Sequence, residues 1–183
     1  METLPSFLGA DDPVTSEREA GAPVAIIEDV LGDMKEMKAH GLALRDLVKE
    51  FPETGGTLIK ALAIHNDTAK LQFLVNRTAQ DVKNVPLPIS VEDGKKVLDT
   101  TDDIKPLLAE AMKLVVEKKP AFENLHIGGI LSIVRLDLTV LHDSVVVLED
   151  ALINASPPEL SETVKEIKTQ IGAIFEEVVA AYS

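Results

Sequence analysis

Residues 121–153 read AFENLHIGGILSIVRLDLTVLHDSVVVLEDALI, and on a helical wheel their apolar side chains cover more than half of the circumference. Only Ser132, Arg135, Thr139, His142, Asp143, Glu149 and Asp150 form a strip suited to water. Val and Ile crowd the remainder despite their modest helix propensity, so burial by neighbouring segments must hold this stretch helical. It is predicted to be the most buried helix of the chain, running from Ala121 to about Ile153 after Lys118-Lys119-Pro120 ends its predecessor. Its apolar run from Ile127 to Val134 meets Arg135 and Asp137 well before a membrane-spanning length, so a water-soluble bundle is expected.

The flanking segments supply the partners this helix needs. Downstream, Ser156-Pro157-Pro158-Glu159 offers an N-cap, a proline at the first helical position and a capping-box Glu. The helix it opens turns Leu160, Val164, Ile167, Ile171, Ile174, Phe175, Val178 and Tyr182 inward. Upstream, Ser90 and Asp93 resemble a cap for a helix burying Val97, Ile104, Leu108, Ala111, Met112 and Val115, with a kink or break expected at Pro106. A helix after Gly55-Gly56 carries two apolar rows, Leu58, Leu62, Ala69, Phe73 and Ala61, Ile64, Leu71, Val75, Val82. The first helix shows Ile27, Val30, Met34, Met37, Gly41, Leu44, Val48 and Phe51 at spacings of three and four. Residues 1–22, with Pro5, Gly9, Pro13 and Gly21 and no sustained period, read as a flexible lead-in. The expected architecture is all-α: an antiparallel five-helix bundle over 23–183 with an apolar interior cavity.

Composition narrows the function. The chain has 183 residues, enough to bury roughly 70% of its unfolded surface without disulfides or metals. The absence of Cys excludes a disulfide scaffold, a zinc-thiolate site, an iron-sulfur cluster and a thiol nucleophile. With 31 acidic against 18 basic residues, the charge of -13 repels phosphate backbones, and with aromatics at 3% there is little to stack on bases or sugars. The first residues lack a signal peptide's basic and apolar regions, so either the chain is intracellular or a start methionine replaces its signal.

The motifs that could carry chemistry are incomplete. Glu123-x-x-His126 has the spacing of a di-iron ligand pair, but His40, His65 and His142 provide no second copy, and an exposed helix start is the better reading. Glu28, Asp29 and Asp33, like Asp99, Asp102 and Asp103, read as solvated helix faces, for no cation-binding loop accompanies them. No phosphate loop, nucleophile elbow or His-Glu-x-x-His is present. Neither catalysis, metal nor cofactor is expected. Asp137 and Ser144, seven residues apart, lie within the apolar arc; either they bond a neighbouring helix or the i−4 carbonyl, or they face a cavity and a ligand's polar end. His65 and Gln72 form a similar seam between the two rows of the second helix. Asn66, Asn76 and Asn154 stand in glycosylation sequons, which matter only in a secreted chain.

The run Ile89-Ser90-Val91-Glu92-Asp93-Gly94 through Val97, then Ile104 to Val116, Lys118-Lys119-Pro120-Ala121-Phe122, a long apolar helix and a closing Ala181-Tyr182 resembles fungal hydrophobic surface binding protein A and the cell-wall galactomannoproteins. The likeness spans about residue 22 to the end. It implies a secreted, extracellular or cell-wall helical domain whose relatives bind fatty acids or adsorb to hydrophobic solids.

Three functions follow, of which the first leads: a carrier of a long-chain fatty acid or similar lipid; an interfacial protein that spreads on hydrophobic surfaces and recruits a secreted hydrolase; and a solid-core structural bundle. The expected apolar lining is Leu62, Phe73, Ile104, Leu108, Met112, Ile130, Val134, Leu141, Val145, Leu148, Ile171 and Phe175. Ser144 and Gln72 are the expected head-group contacts, ahead of Asp137, whose ionised side chain would repel a carboxylate. Burying about 15 methylenes at roughly 0.8 kcal/mol each gains about 12 kcal/mol, which after association costs leaves micromolar binding by a monomeric or weakly dimeric protein.

Overall fold

Polar side chains set the starts of the first three helices. Asp29 Oδ2 accepts from the Ile26 amide at 3.0 Å, Thr57 Oγ1 accepts from Lys60 N at 3.3 Å, and Ser90 Oγ accepts from Asp93 N at 3.0 Å. They open α1 (Ile27–Lys49), α2 (Leu58–Asn84) and α3 (Val91–Glu117). Three more helices follow, α4 (Lys119–Glu123), α5 (Ile130–Ala155) and α6 (Ser161–Ala181). The structure, a computed structural model, describes residues 25–183. The lead-in expected over 1–22 lies outside them. Among the described residues every regular element is helical, and no helix is long and apolar enough to cross a membrane.

There are thus six helices among the described residues rather than five, because the stretch quoted first divides. Gly129 sits at φ 81° immediately before α5, a left-handed conformation open to glycine at no steric cost, and His126 at φ 52° helps turn the chain after α4. Glu123 and His126 therefore do not share a helical face or start a helix; His126 Nδ1 lies 2.7 Å from the Asn124 carbonyl oxygen instead. A second correction concerns Ser156. Its hydroxyl donates to the Leu152 carbonyl at 2.7 Å, so it closes α5, and α6 begins one turn later than expected. Pro157 favours an extended residue before it, and Ser156 is extended, at ψ 138°. Nor does Pro106 break α3, which runs on to Glu117; the proline ring and Asp102, whose carbonyl it strands, both lie on the exposed face.

Cross-helix contacts fix the directions. Lys38–Asp103 and Arg45–Glu110 keep one offset along α1 and α3, so those two run parallel. Lys105–Gln170 and Tyr182–Val115 make α6 parallel to α3 in the same way. Helices α1 and α2 are antiparallel, with Arg77 reaching Asp33 and Glu36, as are α5 and α6, with His142 stacked 4.8 Å from Phe175. The five long helices alternate in direction along the chain, yet their packed neighbours follow a different order. Helix α1 packs on α2 and α3, α2 on α5, α5 on α6, and α6 on α3, which closes a ring. The connection from α2 to α3 crosses one end of that ring, where the Ile89 amide donates to the Ala155 carbonyl at 3.3 Å. At the other end α4 forms a cap, with Phe122 4.7 Å from Phe51 and packed with Ala61, Ala121 and Ile130.

Five helices closed into a ring leave their centre to be filled by side chains. With neighbouring axes about 9.5 Å apart, each axis lies about 8 Å from the middle, whereas a helix with its side chains has a radius of about 5–6 Å. The side chains that point inward therefore decide how much space remains.

Candidate functional site

Two apolar pockets occupy this space, one towards each end of the ring. The first, about 140 Å³, lies among α1, α3 and α6 and the C-terminal halves of α2 and α5. The second, about 330 Å³, lies among α1, the start of α2, the end of α3, Phe122 of α4 and the first half of α5. Leu44, Ala111, Met112 and Leu141 line both and so form the wall between them. Along α5 the combined lining runs from Ile130 to Leu152, roughly 33 Å at 1.5 Å per residue.

Of the expected lining residues, Ile104, Leu108, Val145, Leu148, Ile171 and Phe175 face the first pocket, and Leu62, Ile130 and Val134 the second. Met112 and Leu141 touch both. Phe73 is a correction: it is 66% exposed and lines neither pocket, because α2 packs mainly on α1 and α5 and its outer apolar row meets water. Helix α1 also contributes, through Met34, Met37 and Leu44, none of which belongs to the expected lining although the buried stripe of α1 is plain in the sequence. Leu58, Leu62, Ile133 and Leu136 line the second pocket and are nevertheless between 44% and 60% exposed. They mark a mouth between the first halves of α2 and α5.

The polar candidates separate in the same way. Ser144 is buried, but its hydroxyl donates to the Val140 carbonyl at 3.0 Å, and it lines neither pocket. Gln72 is half-buried and also lines neither. Asp137 does reach the second pocket, at its mouth, where Oδ2 lies 2.8 Å from His65 Nδ1. Burial pushes the Asp137 carboxyl above its ordinary value, and the imidazole beside it only partly offsets this.

Glu149 and His142, which the sequence pattern assigns to the solvent strip, are a further correction. Helix α6 covers that edge of α5, so His142 stacks on Phe175 and Glu149 is only 7% exposed, in the wall of the first pocket. Its Oε1 has no hydrogen-bond partner. Desolvation pushes the Glu149 carboxyl up to about 7; Lys168 opposes the shift and Asp150 adds to it. An acid whose folded pKa is raised contributes stability that is fully present below its ordinary value near 4.5 and is lost as pH climbs through about 7. At about 1.4 kcal/mol per pH unit of displacement, the loss is roughly 3 kcal/mol. Urea unfolding at pH 5 and pH 8 should show wild type losing about 2–3 kcal/mol more than Glu149→Gln across that interval. Equal losses in the two proteins would contradict the burial of this carboxyl.

Among the described residues no group of three or more His, Asp or Glu side chains is arranged to hold a metal ion. Both pockets are lined mainly by apolar side chains.

The same fold occurs in solved structures. That of Afmp4p in complex with palmitic acid is similar over 86% of this chain and 100% of its own, with a TM-score of 0.80 and 23% identity. Ligand binding domain 1 of the Penicillium marneffei MP1 protein, complexed with arachidonic acids, matches 86% of this chain and 99% of its own, with a TM-score of 0.75 and 17% identity. Domain 2 of that protein, in complex with arachidonic acids, gives 0.71 and 16% over 85% of this chain and 91% of its own. No curated protein sequence is significantly similar. The pattern that defines hydrophobic surface binding protein A matches residues 27–154, from the start of α1 almost to the end of α5. By that match, spanning most of the ring of helices, the chain belongs to the hydrophobic surface binding protein A family.

Proposed function

We propose that this chain binds long-chain fatty acids or similar amphiphiles, with the acyl chain lying along α5 through both pockets. The observation that carries this reading is the adjoining pair of apolar spaces walled by Leu44, Ala111, Met112 and Leu141. The larger pocket alone, about 330 Å³, has the size of a small-molecule site. Displacing Met112 and Leu141 by rotamer changes would join the two. Afmp4p and the MP1 domains, of the same fold, are described with palmitic and arachidonic acids, which supports the same ligand class here. Binding is non-covalent, by one chain acting as a monomer. Membership of the family supports a location outside the cell, at a fungal wall.

The acyl tail supplies the affinity. Titrating a fluorescent long-chain fatty acid should give saturable binding at micromolar or lower concentration. Protein never exposed to organic solvent should carry a stoichiometric lipid in native mass spectrometry. A linear, unsaturable response together with a ligand-free mass would reject the carrier reading.

The exposed mouth favours a second reading, adsorption to hydrophobic surfaces through Leu58, Leu62, Ile133 and Leu136. If alkyl-coated beads deplete the protein equally well when the pockets are filled with fatty acid, adsorption is separate from carriage.

A further inference from the structure

The first pocket has four polar residues in its wall, Lys38, Thr101, Glu149 and Ser156. Three are already committed. Lys38 Nζ donates to Asp103 at 2.7 Å, Thr101 Oγ1 to the Val97 carbonyl at 2.9 Å and Ser156 Oγ to the Leu152 carbonyl at 2.7 Å. Glu149 is the exception of the four, only 7% exposed and with its Oε1 unpartnered. A buried polar atom left without a partner is costly, and a ligand that supplies one removes the cost.

We propose that Glu149 is the head-group site of the first pocket and that it binds a fatty-acid carboxylate by sharing a single proton with it. This rests on the fatty-acid reading above and adds the head-group chemistry to it. Two carboxyl groups in one water-poor site cannot both ionise, so one proton stays between them. Entering as a carboxylate, the ligand meets the protonated Glu149 and accepts its hydrogen bond; where Glu149 is ionised, a proton must be taken from solvent. The balance is one carboxylate and one protonated carboxyl, net charge minus one, with no bond made or broken except to that proton.

The surroundings favour this chemistry. Helix α2 presents only Leu71 and Val75 to the first pocket. Helix α3 presents the engaged Thr101, and α1 presents Lys38, paired with Asp103. From α6, Lys168 is drawn to Asp150 and is, among the described residues, the one cation that acts on Glu149, while Asp150 opposes it. No free cation on this wall competes for the incoming carboxylate among the described residues.

Affinity should therefore fall as pH rises. With the carboxyl near 7, the competent protonated fraction drops about 30-fold between pH 5.5 and pH 8.5, and the apparent Kd should rise by that factor. The measurement is titration of cis-parinaric acid, below its aggregation limit, into wild type and Glu149→Gln at both pH values. The amide donates at any pH, so the variant should bind with little pH dependence and outperform wild type at pH 8.5. Taking the ratio of the two proteins at each pH cancels the titration of the free ligand. Calorimetry of dodecanoate binding to wild type at pH 8, in two buffers of different ionisation enthalpy, should show uptake approaching one proton per ligand. This second measurement needs no variant. Saturable but pH-independent binding without proton uptake would overturn the Glu149 assignment and leave the fatty-acid reading standing. Affinity for the same acid that rises with pH would overturn it also. Absence of saturable binding at both pH values would remove both.

Discussion

Phe175→Ala is expected to lose about 3–5 kcal/mol of stability. Phe175 has no exposed surface, stacks on His142 with ring centroids 4.8 Å apart, and lines the first pocket from the middle of α6. Truncation forfeits the transfer energy of the phenyl group and enlarges a space that already measures about 140 Å³. Neighbours cannot collapse into it, because closure of the five long helices into a ring holds their axes apart. For a chain of this size a loss of 1 kcal/mol lowers Tm by about 2–4 °C, so a fall of roughly 6–20 °C is expected by circular dichroism. Phe73→Ala, at an exposed site, should stay within about 0.5 kcal/mol of wild type. A fatty acid that fills the enlarged pocket at 100 times its Kd would return about 2.7 kcal/mol. A loss below about 1 kcal/mol for Phe175→Ala would show that α6 is not packed in this way.

The contrast between these two phenylalanines shows what periodicity can and cannot reveal. Spacing of three and four identifies α1, α2, α3, α5 and α6 because each buries a stripe, and the stripe of α1 is buried at Val30, Met34, Met37, Leu44 and Val48 as expected. Periodicity does not say how many neighbours a helix has. In a ring each helix touches two others, so α2 leaves an apolar row outward, and that row contains Phe73 at one end and the mouth residues Leu58 and Leu62 at the other. The head-group residues fail for a related reason. A wheel sorts positions by polarity, so a buried carboxylate is assigned to water by construction; Glu149 sits beside the exposed Asp150 in sequence yet faces α6 and the pocket. Ser144, within the apolar arc, satisfies itself on the preceding turn and is lost to the ligand. The break before α5 is legible in principle. Gly128-Gly129 is the same signal as Gly55-Gly56, but the apolar residues on both sides of it mask the turn. Closure of the ring depends on which helices pair, and no local pattern encodes that.

Leu141→Trp is expected to weaken fatty-acid binding about 100-fold while leaving the protein folded. Leu141 is 2% exposed and lines both pockets, so an acyl chain running through them along α5 must pass it. An indole there occupies room for about four methylenes, and at roughly 0.8 kcal/mol each their exclusion costs about 3 kcal/mol, close to two decades in Kd. Overpacking should itself cost about 1–3 kcal/mol of stability at a well-filled site, and less where the side chain points into existing space. The chain has no Trp of its own, so the introduced indole reports its own surroundings. A blue-shifted emission maximum shows that it is buried between the pockets. A red-shifted one shows that it has been expelled, and Leu141→Phe then places a smaller ring at the same point. Phe73→Ser, at a position that lines neither pocket, should bind as wild type does. If a buried indole at this position leaves affinity unchanged, the ligand does not run through the wall shared by the two pockets, and each pocket must hold its own guest.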